Sequence, residues 1–473
     1  MAGQAVQDDY LQKRQLRSGA AGWVLLAGLG VAYVISGDYS GWNAGLAEGG
    51  WGGLLIATIL MATMYTCMVF AIAELSSAIP TAGGGYGFAR RAMGPWGGFL
   101  TGTAILIEYA IAPAAIVVFI GAYVESLDIF GITAGWPVYL AFYAVFVGVH
   151  LYGVGEALKV IFAITVVAVV GLLIFVVAMI PQFDASNLTN IAPDPGAAGS
   201  SDFLPFGYVG VLSAFVYGIW FFLAIEGVPL AAEETRDPKR DMPRGLIAAM
   251  LILLVFAALM LTLAPGAGGA DELKASGNPL VDAADNAGSG GVGDVVNYIG
   301  LAGLIASFFS IIFGYSRQLF ALSRAGYLPR SLSVTTGRRV PALALLIPGA
   351  IGFLLAAITE DGARMIQIAV FGATVSYVLM LLSHIVLRRR EPDLERGYTT
   401  PGGVVTSGIG LVLACAAVVA VFTVDVKAAL ITLAVYAVGI LYFALYSRHH
   451  LVAKAPEEEF DAIERAEKEL AGS

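Results

Sequence analysis

Residues Val34–Asn43 read VISGDYSGWN, inside an apolar run where a helix would otherwise continue. Gly37 and Gly41 are weak helix formers, and the short side chains of Ser36 and Asp38 compete for backbone hydrogen bonds. Asp38 is also an acid at membrane depth, which costs roughly 2.5–3.5 kcal/mol on insertion scales. Non-helical backbone survives in a bilayer only where it is buried in protein or lines a cavity. The stretch therefore reads as half of a substrate site near the membrane midplane. A second interruption, Leu223–Pro229 (LAIEGVP), reads as the other half.

The membrane itself follows from composition. Of 473 residues, 58% are hydrophobic and 13% charged, with a mean hydropathy of +0.81. Soluble domains carry about 25% charged residues. Half that value, with apolar runs of about twenty residues recurring along the chain, marks a polytopic protein of the lipid bilayer. The net charge of −9 carries no nucleic-acid signal, because the charges sit in loops and tails. Cys67 and Cys415 both fall in apolar segments, and no CxxC or Cys/His cluster points to a metal. The first apolar run follows a polar N-terminus and precedes no small-residue cleavage site, so it reads as a retained helix.

Twelve spanning segments are expected, at about 18–47 (broken), 51–79, 96–124, 134–152, 157–180, 206–233 (broken), 244–264, 294–323, 341–358, 364–387, 404–423 and 428–447. Of the 26 Lys and Arg, only Lys274, Arg364 and Lys427 fall in the expected outer loops. That bias places both termini in the cytoplasm and supports an even number of spans. The outer loops are acidic, with Asp184, Asp271, Glu272 and Asp282 among others. This serves solubility and exclusion of positive charge, or mild attraction of a cation. The longest outer loop, 265–293, reads as irregular from its Gly, Ala, Asn and Asp content. The charged tail from Ala455 reads as a solvated helix or a disordered segment.

Four acids lie well inside apolar segments: Asp38, Glu74, Glu108 and Glu226. Each needs a partner, a proton or a cation there. No Lys or Arg sits in the middle of a segment, so the acids are protonated at rest or await a cationic substrate. Glu74, just before Pro80, reads as a helix-end carboxylate bonded to backbone or to Arg90 and Arg91. Asp38 and Glu226 sit in the two breaks. Glu108, flanked by Ile107 and Tyr109, reads as a substrate carboxylate or a buried protonated acid. The aromatic residues Tyr39, Trp42, Tyr109, Tyr217, Trp220, Phe221 and Phe222 lie nearby in sequence, and a ring face can add roughly 0.5–2 kcal/mol for a desolvated ammonium.

Other signals carry less. Ala82–Gly87 (AGGGYG) lacks the Gly-Lys-Ser/Thr of a phosphate loop and reads as a tight cytoplasmic turn. His150 and His384 are too isolated for a metal site, leaving weak candidates for pH sensing. No nucleophile–base motif supports an enzyme, and no motif implies a cofactor.

Three stretches carry a family resemblance. Ala73–Gly102 (AELSSAIPTAGGGYGFARRAMGPWGGFLTG), Phe221–Gly245 (FFLAIEGVPLAAEETRDPKRDMPRG) and Ser316–Leu332 (SRQLFALSRAGYLPRSL) resemble the amino acid–polyamine–organocation permeases. The segment from Val34 through Leu75 is similar to the ethanolamine permease branch. The resemblance implies an all-α leucine-transporter-type fold of twelve helices, with helices 1 and 6 discontinuous around a midplane site. It divides the chain into a cytoplasmic segment (1–17), inverted repeats at 18–180 and 206–387, two further helices (404–447) and a cytoplasmic tail (448–473).

It also implies roles. The family's helix 1 break usually reads Gly-Ser-Gly before apolar residues, and its amides hold a substrate carboxylate. Here Ile35-Ser36-Gly37-Asp38 loses the first Gly and gains an acid, which favours an amine without a carboxylate, such as ethanolamine. Trp220 matches a capping position, and Leu223 and Ala224 match carbonyls that accept from the substrate amine. Glu226 matches a glutamate tied to proton sensing and Glu108 a pocket-lining position beside Tyr109, while Ile311 falls where a related antiporter carries an aromatic gate, so that gate is missing here or supplied elsewhere. The residues 163–180 lack the basic residue that replaces sodium in some relatives. The expectation is a permease importing ethanolamine by alternating access, with protons as a possible coupling ion. An amino acid or polyamine permease, or a non-transporting sensor, are the alternatives.

Overall fold

A computed structural model describes residues 21–80, 83–128, 131–152, 157–337 and 340–451. The expected N-terminal segment and the charged tail from Ala455 lie outside the described residues, as do Thr81 and Ala82 of the glycine-rich turn.

The apolar runs become helices because a bilayer offers no water to satisfy free backbone groups. Helix α1 (Trp23–Val34) ends at Ile35 and is followed by the single turn α2 (Ser36–Tyr39). Ser40 is then extended and Gly41 has φ 91°, so the helix cannot pass through. Helix α3 (Ala44–Ala78) bends at Gly50, whose φ of 65° lets the chain turn. Helix α4 (Gly85–Ser126) bends likewise at Gly94, φ 74°, before Pro95. Helices α5 (Trp136–Tyr152), α6 (Ala157–Met179) and α7 (Gly207–Trp220) follow.

After α7 comes the second break. Ala224 adopts a left-handed conformation (φ 76°), and a 3₁₀ segment runs from Ile225 to Glu234. The chain continues through α8 (Pro238–Gly268), α9 (Ala270–Leu273), α10 (Pro279–Asn286), α11 (Gly290–Arg324), α12 (Ala342–Thr359), α13 (Gly362–Arg390), α14 (Val404–Val424) and α15 (Val426–Leu445).

Among the described residues, ten helices are long and apolar enough to cross a membrane, and they fall on ten of the twelve expected segments. The first and fourth segments appear as the shorter apolar helices Trp23–Val34 and Trp136–Tyr152. The first is short because the break at Ile35 ends it.

The expected irregular loop at 265–293 is a correction. It is largely helical, through the end of α8, α9, α10 and the start of α11. Pro279 sits at the first position of α10 without costing a hydrogen bond. Leu273, Leu280, Val281, Ala283 and Ala284 are buried, so packing overrides a composition that reads as loop.

Helix α1 packs against α6, α8 and α11, while α3 packs on α7 and α8, and α4 packs on α11 and α13. The last two helices lie outside, against α3, α4 and α13. Both breaks are therefore enclosed: Ile35, Tyr39, Trp42, Phe221, Phe222 and Ala224 have no exposed surface.

Candidate functional site

The two breaks meet face to face. A Cβ on Gly37 would stand 2.5 Å from the Trp220 carbonyl oxygen, so glycine is what lets the two backbones touch. Trp220 donates its indole N–H to the Ser40 carbonyl at 2.9 Å. Ser307 on α11 donates to the Tyr33 carbonyl at 2.7 Å and receives the Ser36 hydroxyl at 2.8 Å. The Tyr33 carbonyl near the end of α1 thereby accepts from a side chain, as the backbone of a broken helix in lipid must find partners within the protein.

Between the breaks lies a narrow gap, too small for a water molecule, lined by Tyr33, Val34, Ser36, Trp220, Leu223 and Ile311. Of the residues expected to bind substrate, Ser36, Trp220, Leu223 and Ile311 line it. Ile35 caps α1 beside it, and Gly37 and Ala224 shape its backbone. A larger groove of about 410 Å³ opens between α3 and α8, bounded by Leu55, Thr58, Ile59, Leu254 and Phe222. It holds no acid, and its open side is a helix face of the kind lipid covers.

The acids divide into three environments. Glu108 on α4 and Glu226 in the 3₁₀ segment are both buried and face each other within hydrogen-bond reach. Tyr109 donates to Glu226 Oε1 at 3.1 Å, and Tyr377 donates to Glu108 Oε1 at 3.5 Å. Tyr65 in turn bonds Tyr377 at 2.7 Å. The second oxygen of each carboxyl has no hydroxyl or N–H donor. Tyr33, which lines the gap, stacks on Tyr109 with ring centroids 6.3 Å apart. The carboxyl pair thus borders the gap through that ring.

Asp38 stands apart. It is fully buried, and neither carboxyl oxygen has a hydrogen-bond partner. It does not line the gap. A carboxyl so placed needs a proton or a cation.

Glu74 is fully engaged. Arg388 and Arg396 approach its Oε1 at 2.7 and 2.8 Å, His384 Nε2 lies 3.1 Å from Oε2, and the Thr400 N–H bonds Oε2 at 2.7 Å. The expected backbone contact is present, but the expected arginines are not the partners. Arg91 pairs with Glu391 at 2.6 Å, and Arg90 lies over the Tyr327 ring at 5.4 Å. The partners come from α13 and the chain after it, more than 300 residues away, which spacing along the helix could not disclose. His384, read as isolated, joins this cluster and also contacts Ser407 at 2.8 Å. His150 does not join it: its ring stacks on Phe309, and Nε2 lies 3.0 Å from the Phe309 carbonyl oxygen.

Two further pairs stand at the same arginine-rich end: Arg317 with Glu234 at 2.6 Å and Arg324 with Glu233 at 2.8 Å. Together they tie α11 and α13 to the segments that carry the second break and α3. At the other end, Asn43 donates to the Leu273 and Ser276 carbonyls at 2.8 and 2.9 Å. The aromatic residues serve both packing and bonding. Trp42 stacks on Phe221 at 5.8 Å, Phe222 meets Tyr65 at 5.4 Å, Tyr39 donates to the Ala168 carbonyl at 2.6 Å, and Tyr217 accepts from Gln367 at 3.0 Å. Sequence reasoning missed Tyr33, Tyr65, Ser307 and Tyr377. Each sits in an unbroken apolar run, and the only local hint was a hydroxyl that must find a partner once buried.

Two helices broken side by side in the buried middle of an apolar bundle are an arrangement of secondary transporters; the chain is a membrane transporter. It belongs to the amino acid permease family, whose model matches residues 24–461. It is 30% identical over 427 residues to an uncharacterized transporter of Rhizobium meliloti (strain 1021), covering 88% of this chain and 89% of that one. It is 26% identical over 413 residues to a branched-chain amino acid permease of Bacillus subtilis (strain 168), covering 84% and 86%. A methylthioribose transporter of the same organism is 24% identical over 438 residues, covering 88% and 89%. The family and these relatives are membrane permeases, not enzymes, and the expected superfamily resemblance is borne out at that level.

Proposed function

We propose that the protein carries ethanolamine, or a similar small organic ammonium, into the cell across the cytoplasmic membrane by alternating access. The observation that carries this reading is the charge of the core. Asp38, Glu108 and Glu226 are buried with carboxyl oxygens that lack donors, and among the described residues no Lys or Arg pairs with them. An unpaired buried acid is costly, and a cationic substrate relieves that cost.

In this reading the chain has twelve spans, arranged as two inverted five-helix repeats (18–180 and 206–387) with both termini cytoplasmic. Glu108 and Asp38 are the charge partners of the ammonium. Ser36 and the carbonyls of Ile35, Leu223 and Ala224 bind its protons and hydroxyl, with Gly37 giving the backbone room. Trp220 is the lid, Tyr109 and Ile311 are walls, and Glu226 is the proton-linked gate. The three ion-pair clusters at the arginine-rich end hold the cytoplasmic side shut, and the narrow central gap fits a state between inward and outward opening.

A second reading, an amino acid permease, is favoured by the branched-chain amino acid permease among the relatives. Uptake of labelled ethanolamine into proteoliposomes, with alanine, leucine and putrescine as competitors, separates the two. Saturable ethanolamine uptake competed by no amino acid supports the first. Uptake of leucine or alanine without ethanolamine uptake keeps the transporter and ends the substrate assignment.

A further inference from the structure

Glu108 and Glu226 come from different elements, yet their carboxyls meet within hydrogen-bond reach in a buried site. Ionised carboxylates only accept hydrogen bonds, so a bond between two of them requires one proton. Two negative charges in contact away from water cannot both persist.

Among the described residues, the surroundings supply no cation to the pair. Tyr109 beside Glu108 on α4 donates to Glu226, Tyr377 on α13 donates to Glu108, and Tyr65 on α3 is bonded to Tyr377. Tyr33 on α1 faces the group across Tyr109, and its hydroxyl has no partner. Beyond Tyr33 lie Arg317 and Glu234, already paired with each other at 2.6 Å. The tyrosines hold Oε1 of each carboxyl, and Oε2 of each is left without a donor among the described residues.

We propose that Glu108 and Glu226 share a single proton, that an organic ammonium entering between them displaces it, and that the carrier therefore exchanges one proton for one cation. This rests on the ammonium reading above. The charge balances: the pair with its proton carries one negative charge, and the fully ionised pair with one ammonium carries the same. The displaced proton leaves to the aqueous side to which the site is then open, and returns when the cation departs. The substrate need not change the charge of a buried site, which would cost several kcal/mol per ion. Net import then draws on the substrate's own gradient, and a proton gradient of matching direction opposes it. Coupling of this kind is exchange, not symport. It uses the two acids as a unit, so their protonation belongs to the pair and to neither residue alone.

The test is calorimetric titration of the purified full-length protein with ethanolamine at neutral pH, in two buffers of different ionisation enthalpy. The difference in apparent binding enthalpy counts protons released. One proton released per cation bound is the expected result, with affinity falling about tenfold per pH unit below the point where the pair holds its proton. The second measurement is uptake into proteoliposomes, where an acidic lumen should accelerate ethanolamine entry and an alkaline lumen slow it. Glu108→Gln and Glu226→Gln should each abolish proton release while the protein stays monodisperse. Ethanolamine binding with no proton released overturns the exchange and leaves the ammonium reading intact. Absence of ethanolamine binding overturns both. Acceleration by an alkaline lumen establishes symport and overturns the exchange alone.

Discussion

The Trp220 indole N–H bonds the Ser40 carbonyl at 2.9 Å, so the end of α7 holds the first helix break shut through one donor. Phenylalanine keeps the ring and removes the donor. A neutral hydrogen bond contributes roughly 0.5–1.5 kcal/mol, and a stranded buried carbonyl adds to the loss. Trp220→Phe should therefore weaken substrate retention by about tenfold while the protein still folds, as that energy implies. Apparent affinity and the rate of substrate release in proteoliposomes check this. Wild-type values for both would remove Trp220 as the lid.

Gly37→Ala should be far more damaging than its size suggests. The added Cβ would sit 2.5 Å from the Trp220 carbonyl, a backbone atom that cannot swing aside. Closure of the two breaks should be blocked and transport lost, with normal membrane insertion. Retained uptake with normal kinetics would show that the two backbones separate more than this structure implies.

Ala224 carries φ 76°, a left-handed conformation that costs a non-glycine residue roughly 1–2 kcal/mol. Ala224→Gly should leave thermal stability unchanged or raised, because relief of strain offsets the extra freedom of the unfolded chain. Ala224→Val should lower it and slow transport. Thermal unfolding of detergent-purified variants gives the comparison, and equal stability for glycine and valine would contradict the strained break.

The Glu74 cluster predicts a contrast within one experiment. Glu74 is buried against Arg388 and Arg396, and removing one partner of a buried pair costs about 3–5 kcal/mol. Glu74→Gln should lower the melting temperature by several degrees. Lys239 and Glu395 also pair, at 2.8 Å, but both are largely exposed, and such pairs contribute roughly 0–1 kcal/mol. Lys239→Ala should leave the melting temperature in place, and equal effects from the two variants would show that burial is not what distinguishes them.

Much of this was legible along the chain. The breaks at Val34–Asn43 and Leu223–Pro229 could be found because glycine, a short polar side chain and an acid all oppose helix within an otherwise apolar run. Of the twelve spans expected from length and hydropathy, ten fall on helices long and apolar enough to cross a membrane. The helical character of 265–293 was not legible, because Gly, Ala, Asn and Asp leave local preference undecided and buried contacts of Leu273 and Leu280 settle it. The partners of Glu74 were not legible either: the nearest arginines in sequence, Arg90 and Arg91, point elsewhere, and the actual ones lie on α13 and beyond.

The acids show the division most clearly. Sequence alone determined that Asp38, Glu108 and Glu226 would be buried without a neighbouring base, since each sits in an apolar segment that holds no Lys or Arg at its middle. Only the tertiary structure decided that Glu108 and Glu226 face each other beneath Tyr109 and Tyr377 while Asp38 is left alone. Burial is a property of a segment's composition and can be read one helix at a time. Which carboxyl meets which depends on the rotation and crossing of helices far apart in the chain, and that is settled by packing over the whole bundle.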